Sequence, residues 1–295
     1  MLPRCVLIER PTEYSDLLAR HGTRQAVRFF LAQRELDVGE VERRHLDYAE
    51  TRAGVLAAVP LEWRTSSITR AELDRFLFEP TDVVVVLGQD GLVANVSKYL
   101  TGQPVIGLNP DPDRVGGVLV RHPPRAAADL LADVAAERAG LERRTMAEAV
   151  LDDGQRLLAL NELFVGHVSH QSARYVVAAG GRSERQSSSG IIVATGTGAT
   201  GWAASINRER LRRVAVPAPA DASLAFFVRE AWPSATTATT LTEGLLAPPD
   251  ALEITCELGE GGVVFGDGIE SDRLELAWGQ RARIQTARET LRLVV

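Results

Sequence analysis

Lysine is almost absent from this chain of 295 residues: Lys98 is the only one, and arginine supplies the other basic side chains. The excess of arginine is most simply a coding bias, but it has a chemical consequence. A phosphate-binding loop of the Gly-x-x-x-x-Gly-Lys type is excluded. Any phosphate chemistry must therefore use backbone amides, arginines or a metal ion. The formal net charge of −6 also argues against a nucleic-acid-binding surface.

Cysteine is scarce, and long apolar runs are missing. Cys5 and Cys256 have no metal-binding spacing and argue against a disulfide framework. No apolar run approaches the roughly 20 residues of a membrane helix, and the first residues resemble a strand rather than a signal peptide. We therefore expect a cytoplasmic protein. Because Gly-x-Ser-x-Gly is absent, an acyl-hydrolase nucleophile has no support either.

Strand and helix patterns alternate in the first part of the chain. Cys5–Glu9 and Pro104–Leu108 have strand patterns, and Val83–Leu87 has the apolar composition of a strand buried on both faces. A shorter strand is predicted at Leu61–Arg64. The helical patterns between these strands are Gly22–Leu36, Val41–Ala58, Arg70–Phe78 and Val93–Leu100. This alternation predicts an α/β domain, with a parallel sheet and crossover helices, at residues 1–122.

The pattern changes after an alanine-rich connecting helix at residues 123–140. Alternating runs at Glu142–Leu151 and Arg156–Val165, joined around Asp152-Asp153-Gly154, predict a hairpin. Short strand patterns continue to the end of the chain. We therefore predict a β-rich, nucleotide-binding domain at residues 141–295, consistent with a chain long enough for two domains.

The segment Thr81–Gly91 carries the first chemical motif. Its β-branched strand ends in Gly88, Gln89, Asp90 and Gly91, at the edge of the sheet where α/β proteins bind ligands. The glycines let backbone N–H groups approach a phosphate, and Asp90 can accept a proton or orient a metal. Alternatively, Asp90 only caps the next helix. The side chain of Gln89 could strain a glycine-type backbone or occupy phosphate space.

A Gly- and Thr-rich loop, Thr195–Trp202, is the second motif. It joins the predicted strand Ile191–Ala194 to a helical stretch, and hydroxyls with free N–H groups at a helix N-terminus suit an anion. Gly196, Gly198 and Gly201 also match a dinucleotide fingerprint, but the loop lies in the β-rich half. We favour a phosphate or nucleotide loop over a structural turn or a hydride-transfer site.

The third motif is the pair Asn161-Glu162 inside the predicted strand Leu157–Val165. Neighbouring residues on a strand face opposite ways, so one polar side chain would point inward unless the backbone bulges. A carboxylate beside an amide suits the diol of a ribose, because the carboxylate accepts from hydroxyls. The alternative is an exposed edge strand.

In this order, the three motifs resemble those of the NAD kinase family, and the Thr-Gly-Thr-Gly sequence is similar to that of the mitochondrial-type members. The resemblance extends from about Val6 to the C-terminus. Further matching segments are Val105–Asn109, Asp111–Arg114, Ser188–Gly190, Ile206–Arg208 and Asp267–Gly268.

The resemblance implies that Asp90 is the catalytic carboxylate, acting on the adenosine ribose 2′-hydroxyl of NAD. It implies ATP with Mg²⁺ or another divalent metal as phosphate donor, a homodimer or larger assembly, and a β-sandwich-like second domain. The substrate-binding residues implied are Asn161, Glu162, Thr197, Thr200, Ser205, Ser189 and Asp267. The phosphate-binding residues implied are Gly88, Gln89, Gly91, Gly196 and Gly198.

Ser189 stands where most members of the family have an aspartate, a change that the mitochondrial-type members share. Two further residues depart from the family pattern: Gln89 replaces a glycine and Leu92 replaces the usual threonine. They motivate an alternative function, a catalytically weakened or inactive NAD(P)-binding protein on the same fold. A kinase for another nucleoside or lipid hydroxyl is a third possibility, and a nicotinamide-dependent oxidoreductase is a fourth. Magnesium, NAD and ATP are the expected small-molecule partners, with no nucleic acid and no membrane.

Overall fold

The computed structural model describes residues 2–114 and 116–295, which divide into two compact units. The first unit comprises the chain up to Val96 together with Gln103–Leu141 and Leu293–Val295. The second comprises Ser97–Gly102 and Glu142–Arg292. The domain boundaries drawn from the sequence stay predictions.

A parallel sheet forms the centre of the first unit. Its strands are β1 (Arg4–Glu9), β2 (Arg64–Thr69), β3 (Asp82–Leu87) and β4 (Pro104–Leu108). They lie in the order β2-β1-β3-β4, with parallel pairing throughout. The helices that begin in this unit are α1 (Glu13–His21), α2 (Arg24–Ala32), α3 (Val38–Ala57), α4 (Asp90–Ser97) and α5 (Ala127–Ala135).

The central strands of this sheet carry apolar side chains on both faces, and this explains why both faces are buried. Every residue of β3 is buried, as a parallel strand covered by helices on both faces requires. Leu7, Val85, Ile106 and Leu131 belong to one core in which strand and helix side chains pack together. The sheet directs the carboxyl ends of β1, β3 and β4 to one edge, which places Gly88–Gly91 there.

The second unit is β-rich, with one α-helix, α6 (Trp202–Glu209), among the residues that the structure describes. Its strands are β5 (Leu141–Leu151), β6 (Arg156–Ala159), β7 (Glu162–His167), β8 (Ala173–Ala179), β9 (Arg182–Ser188), β10 (Ile191–Ala194), β11 (Leu224–Val228), β12 (Glu243–Leu246), β13 (Leu252–Cys256), β14 (Gly262–Gly266), β15 (Arg273–Leu276) and β16 (Arg281–Val294). One sheet contains β9-β8-β13-β16 with β5 and β6, and the other has the order β12-β11-β10-β7-β14-β15.

A sandwich core lies between these two sheets. Tyr175 and Ile254 of the first sheet share a hydrophobic cluster with Leu163, Val193 and Phe226 of the second. Such interdigitation of inner faces defines a β-sandwich. The predicted fold class, an α/β part followed by a sandwich-like β-rich part, is confirmed.

Several predicted elements need correction. The strand predicted at Leu61–Arg64 is wrong, because residues 61–63 form a turn and β2 begins at Arg64. The helix predicted at Arg70–Phe78 is a short 3-10 helix, Arg70–Arg75. The continuous strand predicted across Leu157–Val165 is broken between β6 and β7, where the chain passes from one sheet of the sandwich to the other.

The hairpin predicted around Asp152-Asp153-Gly154 is confirmed by the antiparallel pairing of β5 with β6. Cys5 and Cys256 are both buried and free. Within residues 2–114 and 116–295, no helix is long and apolar enough to cross a membrane.

Candidate functional site

Asp90 is the first residue of α4, and its carboxylate binds a loop of its own unit rather than the helix end. Its Oδ1 accepts the backbone N–H groups of Leu119 at 2.8 Å and Val120 at 2.9 Å. Its Oδ2 accepts the N–H of Val118 at 2.8 Å. Asp90 is therefore not a simple helix cap, because it fixes the segment 118–120 to the carboxyl end of β3.

These contacts limit how many further hydrogen bonds the Asp90 carboxylate can accept. A carboxylate oxygen has two lone pairs, so Oδ1 is fully used by the two N–H groups. Oδ2 keeps one lone pair, and the side chain is only partly buried. Asp90 can therefore accept one further hydrogen bond, through Oδ2, from a hydroxyl of a ligand.

The backbone conformation and the free space around Asp90 determine whether side chains are tolerated at positions 88, 89 and 91. Gln89 does not have a positive φ, so its side chain causes no left-handed strain. A Cβ at Gly91 would lie near only the end of the Arg10 side chain, at 3.9 Å, and one at Gly88 would lie 3.1 Å from the buried side chain of Leu92. The second consequence expected of Gln89, occupation of phosphate space, stays a prediction.

A cavity of about 560 Å³ lies at this edge of the first unit, and Gln89 lines it. Its other lining residues come from α1, α3 and the loops after β1 and β4, and they include Thr12, Glu13, Arg43, Arg44, His45, Tyr48, Asp111 and Arg114. This volume is within the usual range for small-molecule sites.

The basic side chains of this cavity differ in how far they are neutralised. Arg44 lies 3.2 Å from Glu13, and Arg114 lies 3.9 Å from Asp111. Arg43 is exposed and forms no ion pair among the described residues. Arg43 is therefore the cavity's available cation. The sequence alone did not single it out, because α3 is separated from Gln89 by many residues.

In the second unit, Asn161 lies in the bend that joins β6 to β7, and Glu162 is the first residue of β7. We call this place the Asn161-Glu162 turn. The carboxylate of Asp267 accepts N–H groups from Leu160 at 2.9 Å, Asn161 at 2.7 Å and Glu162 at 3.3 Å. Asp267 itself adopts a left-handed φ of 53°, a conformation that Asp tolerates better than most residues. The structure thus brings three of the predicted substrate-binding residues together.

The carboxyl groups of Glu162 and Asp267 are both harder to ionise than usual. Burial, followed by the charge of Asp267, raises the pKa of Glu162 to about 7. Burial also raises the pKa of Asp267 to about 6, although the three N–H groups and Lys98 favour its ionised form. Perturbed carboxyl groups beside one another are a common property of functional sites.

We expect Glu162→Gln to stabilise the protein increasingly as pH rises from 4.5 to 7. Across this window folded Glu162 retains a proton that unfolded Glu162, with its ordinary pKa of 4.5, has released, so the wild type loses stability as pH rises. Above pH 7 the gain should reach about 2 kcal/mol, allowing for partial solvent screening. Urea denaturation at several pH values measures it.

Glu260→Gln is the matched control, because Glu260 is exposed. Its effect on the free energy of unfolding should stay near zero throughout. A Glu162→Gln effect that does not grow with pH would contradict the assigned environment of Glu162.

The loop after β10 is attached to the same turn through Thr195. Thr195 Oγ1 donates to the Leu160 carbonyl at 2.5 Å and accepts N–H groups from Thr197 at 3.1 Å and Gly198 at 3.3 Å. The Thr195 N–H also donates to the Asn161 carbonyl at 2.9 Å. Through these hydrogen bonds the buried Thr195 connects the two motifs. Thr195 belongs to the predicted loop, but no sequence pattern indicates this connecting role.

Two glycines of this loop are explained by close backbone contacts. A Cβ at Gly196 would lie 2.0 Å from the Ala218 carbonyl oxygen, and one at Gly198 would lie 2.1 Å from that of Asn161. Both positions therefore require glycine for packing. The role of Gly196 and Gly198 in phosphate binding stays a prediction. Because packing already explains why both residues are glycine, their identity no longer supports that role.

The remaining predicted residues are distributed on both sides of β10. Thr197 is buried, and its Oγ1 accepts from the buried Arg144 at 3.4 Å. Thr200 and Ser205 are exposed beyond it, in the loop and in α6. Ser189 is exposed at the opposite end of β10, so the structure does not bring it together with Thr197.

An aromatic stack borders the second motif. The rings of Trp202 and Phe164 are parallel with centroids 6.1 Å apart, and the Arg229 guanidinium lies 5.0 Å from the Trp202 ring. Trp202 is 37% exposed to solvent, so an aromatic side chain is accessible at the first residue of α6. In the described part of the chain, no group of three or more His, Cys, Asp or Glu side chains is arranged to hold a metal ion.

No protein-family model matches the sequence, and no curated protein matches it. Solved structures do match the fold. The crystal structure of yeast NADH kinase in complex with NADH has a TM-score of 0.66 and 14% identity, covering 100% of this chain and 83% of that one. An NAD kinase from Archaeoglobus fulgidus in complex with ATP has a TM-score of 0.60 and 16% identity, covering 99% and 93%. The chain therefore has the fold of the NAD and NADH kinases.

Proposed function

We propose that this protein is an NAD kinase that transfers the γ-phosphoryl group of ATP to the adenosine ribose 2′-hydroxyl of NAD. The observation that carries the proposal is the Asn161-Glu162 turn. Asp267 and Thr195 hold its backbone, so its two side chains remain available for a ligand. The fold shared with proteins crystallised with NADH and with ATP supports the same assignment.

In this proposal Glu162 and Asn161 bind a nucleoside of NAD. A carboxylate accepts hydrogen bonds from two ribose hydroxyls, whereas an amide both donates and accepts. Because the pKa of Glu162 is about 7, the free protein holds it partly protonated at neutral pH. Hydrogen bonds from the diol favour the ionised form, so binding is coupled to release of a proton from Glu162.

Asp90 is the proposed catalytic carboxylate. The 2′-hydroxyl donates to the remaining lone pair of Asp90 Oδ2, and its oxygen attacks the γ-phosphorus. As the new O–P bond forms and the bond to ADP breaks, the hydroxyl proton passes to Oδ2. Phosphoryl transfer depends mostly on positioning and charge neutralisation, and the hydrogen bonds to the loop 118–120 hold Asp90 in place.

The phosphate donor enters the cavity lined by Gln89 as a complex of ATP with a divalent metal. Arg43 supplies a cation for the polyphosphate, and Gln89 supplies an amide. Mg²⁺ is usually held by substrate phosphates with one or two carboxylates, so a preformed protein cage is unnecessary. The metal is therefore part of the donor substrate.

We expect Arg43→Ala to raise the KM for ATP by about 10-fold, because a hydrogen bond between charged groups is worth about 1.5–3 kcal/mol. The KM for NAD should not change. Initial rates with each substrate varied in turn measure both constants. Arg28→Ala is the matched control, since Arg28 is exposed on α2 and does not line the cavity. Equal effects of Arg43→Ala on both substrates would contradict the donor assignment.

The test of the proposed function is NADP formation by the purified protein with NAD, ATP and magnesium, read by an NADP-specific coupled assay. We expect product that depends on both substrates. Absence of NADP under conditions in which both nucleotides bind would overturn the kinase assignment.

A second candidate function, an NAD(P)-binding protein without turnover, is favoured by the three N–H groups on Asp90 and by the presence of Gln89 in the cavity lining. Calorimetric binding of NAD without NADP formation would support it. Activity gained on Gln89→Gly would identify Gln89 as the obstacle. The homodimer, the mitochondrial-type subclass and the cytoplasmic location remain predictions.

A further inference from the structure

Two arginines lie side by side at the carboxyl edge of the parallel sheet in the first unit. β1 ends at Glu9 and β2 ends at Thr69, and these two residues are partners in the parallel pairing. Arg10 and Arg70 are the residues that follow them. Because paired strands lie about 4.8 Å apart, the register brings the two arginines together. We call Arg10 and Arg70 the arginine pair.

The acids nearest to the arginine pair in sequence are bound elsewhere. Glu9 forms an ion pair with Arg52 at 2.7 Å. Glu72 accepts hydrogen bonds from the backbone N–H of Thr69 at 2.8 Å and from its hydroxyl at 2.7 Å. Within residues 2–114 and 116–295, neither member of the arginine pair forms an ion pair with a carboxylate.

The positive charge of the arginine pair is therefore uncompensated. Partial burial, followed by the charge of Arg70, lowers the pKa of Arg10. Like charges on paired strands repel each other and destabilise the sheet. An anion held by both guanidinium groups would relieve this repulsion. Phosphate suits this place, because the planar fork of a guanidinium group can donate two parallel hydrogen bonds to its oxygens.

The arginine pair adjoins the turn that carries Asp90. Arg10 Nη2 donates to Asn95 Oδ1 of α4 at 3.2 Å, and a Cβ at Gly91 would lie 3.9 Å from the same nitrogen. Gly91 follows Asp90 in the chain, whereas Gln89, which lines the cavity, precedes it. A polyphosphate that begins in the cavity and passes Asp90 would therefore reach Arg10.

We propose that Arg10 and Arg70 form an anion site that binds the terminal phosphate of the donor nucleotide. The N-terminus of α4 beside them also favours negative charge. Neither arginine lines the cavity, so this site is additional to the contacts assigned to Arg43 and Gln89. The identity of the donor rests on the proposed function, whereas the binding of a phosphate group does not.

Calorimetry with ATP, ADP and inorganic phosphate, in the presence of magnesium and without NAD, tests this proposal. Arg10→Gln and Arg70→Gln should each bind ATP and inorganic phosphate about 10-fold more weakly than the wild type, because each loses a hydrogen bond between charged groups. The affinity for ADP should not change, because ADP lacks the terminal phosphate. An equal loss of affinity for ATP and ADP, or no loss for either, would overturn the proposal.

The inorganic phosphate arm separates two sources of the bound group. Weaker binding of inorganic phosphate with unchanged affinity for ATP would overturn the assignment to the donor, since the site would then hold a free ion. Arg75→Gln is the matched control, because Arg75 is an exposed arginine of the same 3-10 helix as Arg70 and pairs with Asp74. Its affinities should equal those of the wild type.

Thermal melting separates phosphate binding from a merely structural role. Without an anion, neither Arg10→Gln nor Arg70→Gln should melt below the wild type, because each removes one of two repelling charges. Phosphate should raise the melting temperature of the wild type more than that of either variant, since a ligand stabilises the folded state that binds it. Variants that melt earlier and still gain the full stabilisation from phosphate would contradict the anion site.

Failure of the proposed function is distinguishable from failure of this inference. If the protein forms no NADP, binding of ATP and inorganic phosphate still tests the arginine pair, because NAD is not needed. NADP formation together with wild-type affinity for ATP in both variants would leave the kinase assignment intact and overturn the inference. A wild type that binds neither ATP nor inorganic phosphate would also overturn it.

Discussion

Asp90→Ala should lower the rate of NADP formation by about 10²–10⁴-fold, the usual contribution of a positioned acid or base. The variant loses the Oδ2 lone pair that accepts the hydroxyl proton in the proposed transfer. Because Asp90 is assigned to the chemical step, kcat should fall while the affinity for NAD, measured by calorimetry, changes little.

Asp90 also has a structural role, which the experiment must separate. Loss of its carboxylate leaves the N–H groups of Val118, Leu119 and Val120 without that acceptor, and we expect a loss of about 1–3 kcal/mol in stability. Rates are therefore compared at a temperature where urea denaturation shows both proteins folded. Asp74→Ala, at an exposed acid of the 3-10 helix, is the control. Equal rates for wild type and Asp90→Ala would remove Asp90 from the mechanism.

Asp267→Ala should abolish measurable NAD binding and lower the free energy of unfolding by about 3 kcal/mol. Three N–H groups of the turn lose an acceptor, a cost of about 1–3 kcal/mol for each group left unsatisfied. Alanine at a φ of 53° adds about 1–2 kcal/mol. The Asp267→Ala variant no longer buries a carboxylate charge, which offsets part of the lost stability, because burial raises the pKa of Asp267 to about 6.

Asp267→Asn is the matched variant, because asparagine tolerates the left-handed conformation and keeps one oxygen acceptor. We expect it to lose less stability than Asp267→Ala and to retain weak NAD binding. Urea denaturation and calorimetry measure the two effects. An Asp267→Ala protein with wild-type affinity would show that the turn does not depend on Asp267.

The elements that sequence analysis predicted best are those with a single dominant pattern. The run Val83–Leu87 is apolar at every position and bounded by turn residues, and β3 is observed at Asp82–Leu87. By contrast, β9 was not predicted, because Arg182–Ser188 is polar throughout and forms a strand only by pairing with β8. Helix α1 was also not predicted. Its signal is local and brief, a Thr12 cap before nine residues.

The candidate site was predictable in its residues but not in its connections. Asn161 and Glu162 stood out because a polar pair interrupts an apolar strand pattern. Their support by Asp267 and Thr195 depends on pairings between residues far apart in the chain. The ion pair between Lys98 and Asp272 likewise joins residues that no local sequence pattern connects. Gly196 and Gly198 show the converse, since a loop composition suited to phosphates has a packing explanation.

Transfer of labelled γ-phosphate from ATP to NAD by the wild-type protein, with the product separated beside authentic NADP, tests the kinase assignment most directly. We expect a labelled product identical to NADP, with phosphate on the adenosine ribose 2′-oxygen, and little of it from Asp90→Ala. Label that appears only as inorganic phosphate or on another acceptor, with NAD unchanged, would contradict the assignment as an NAD kinase.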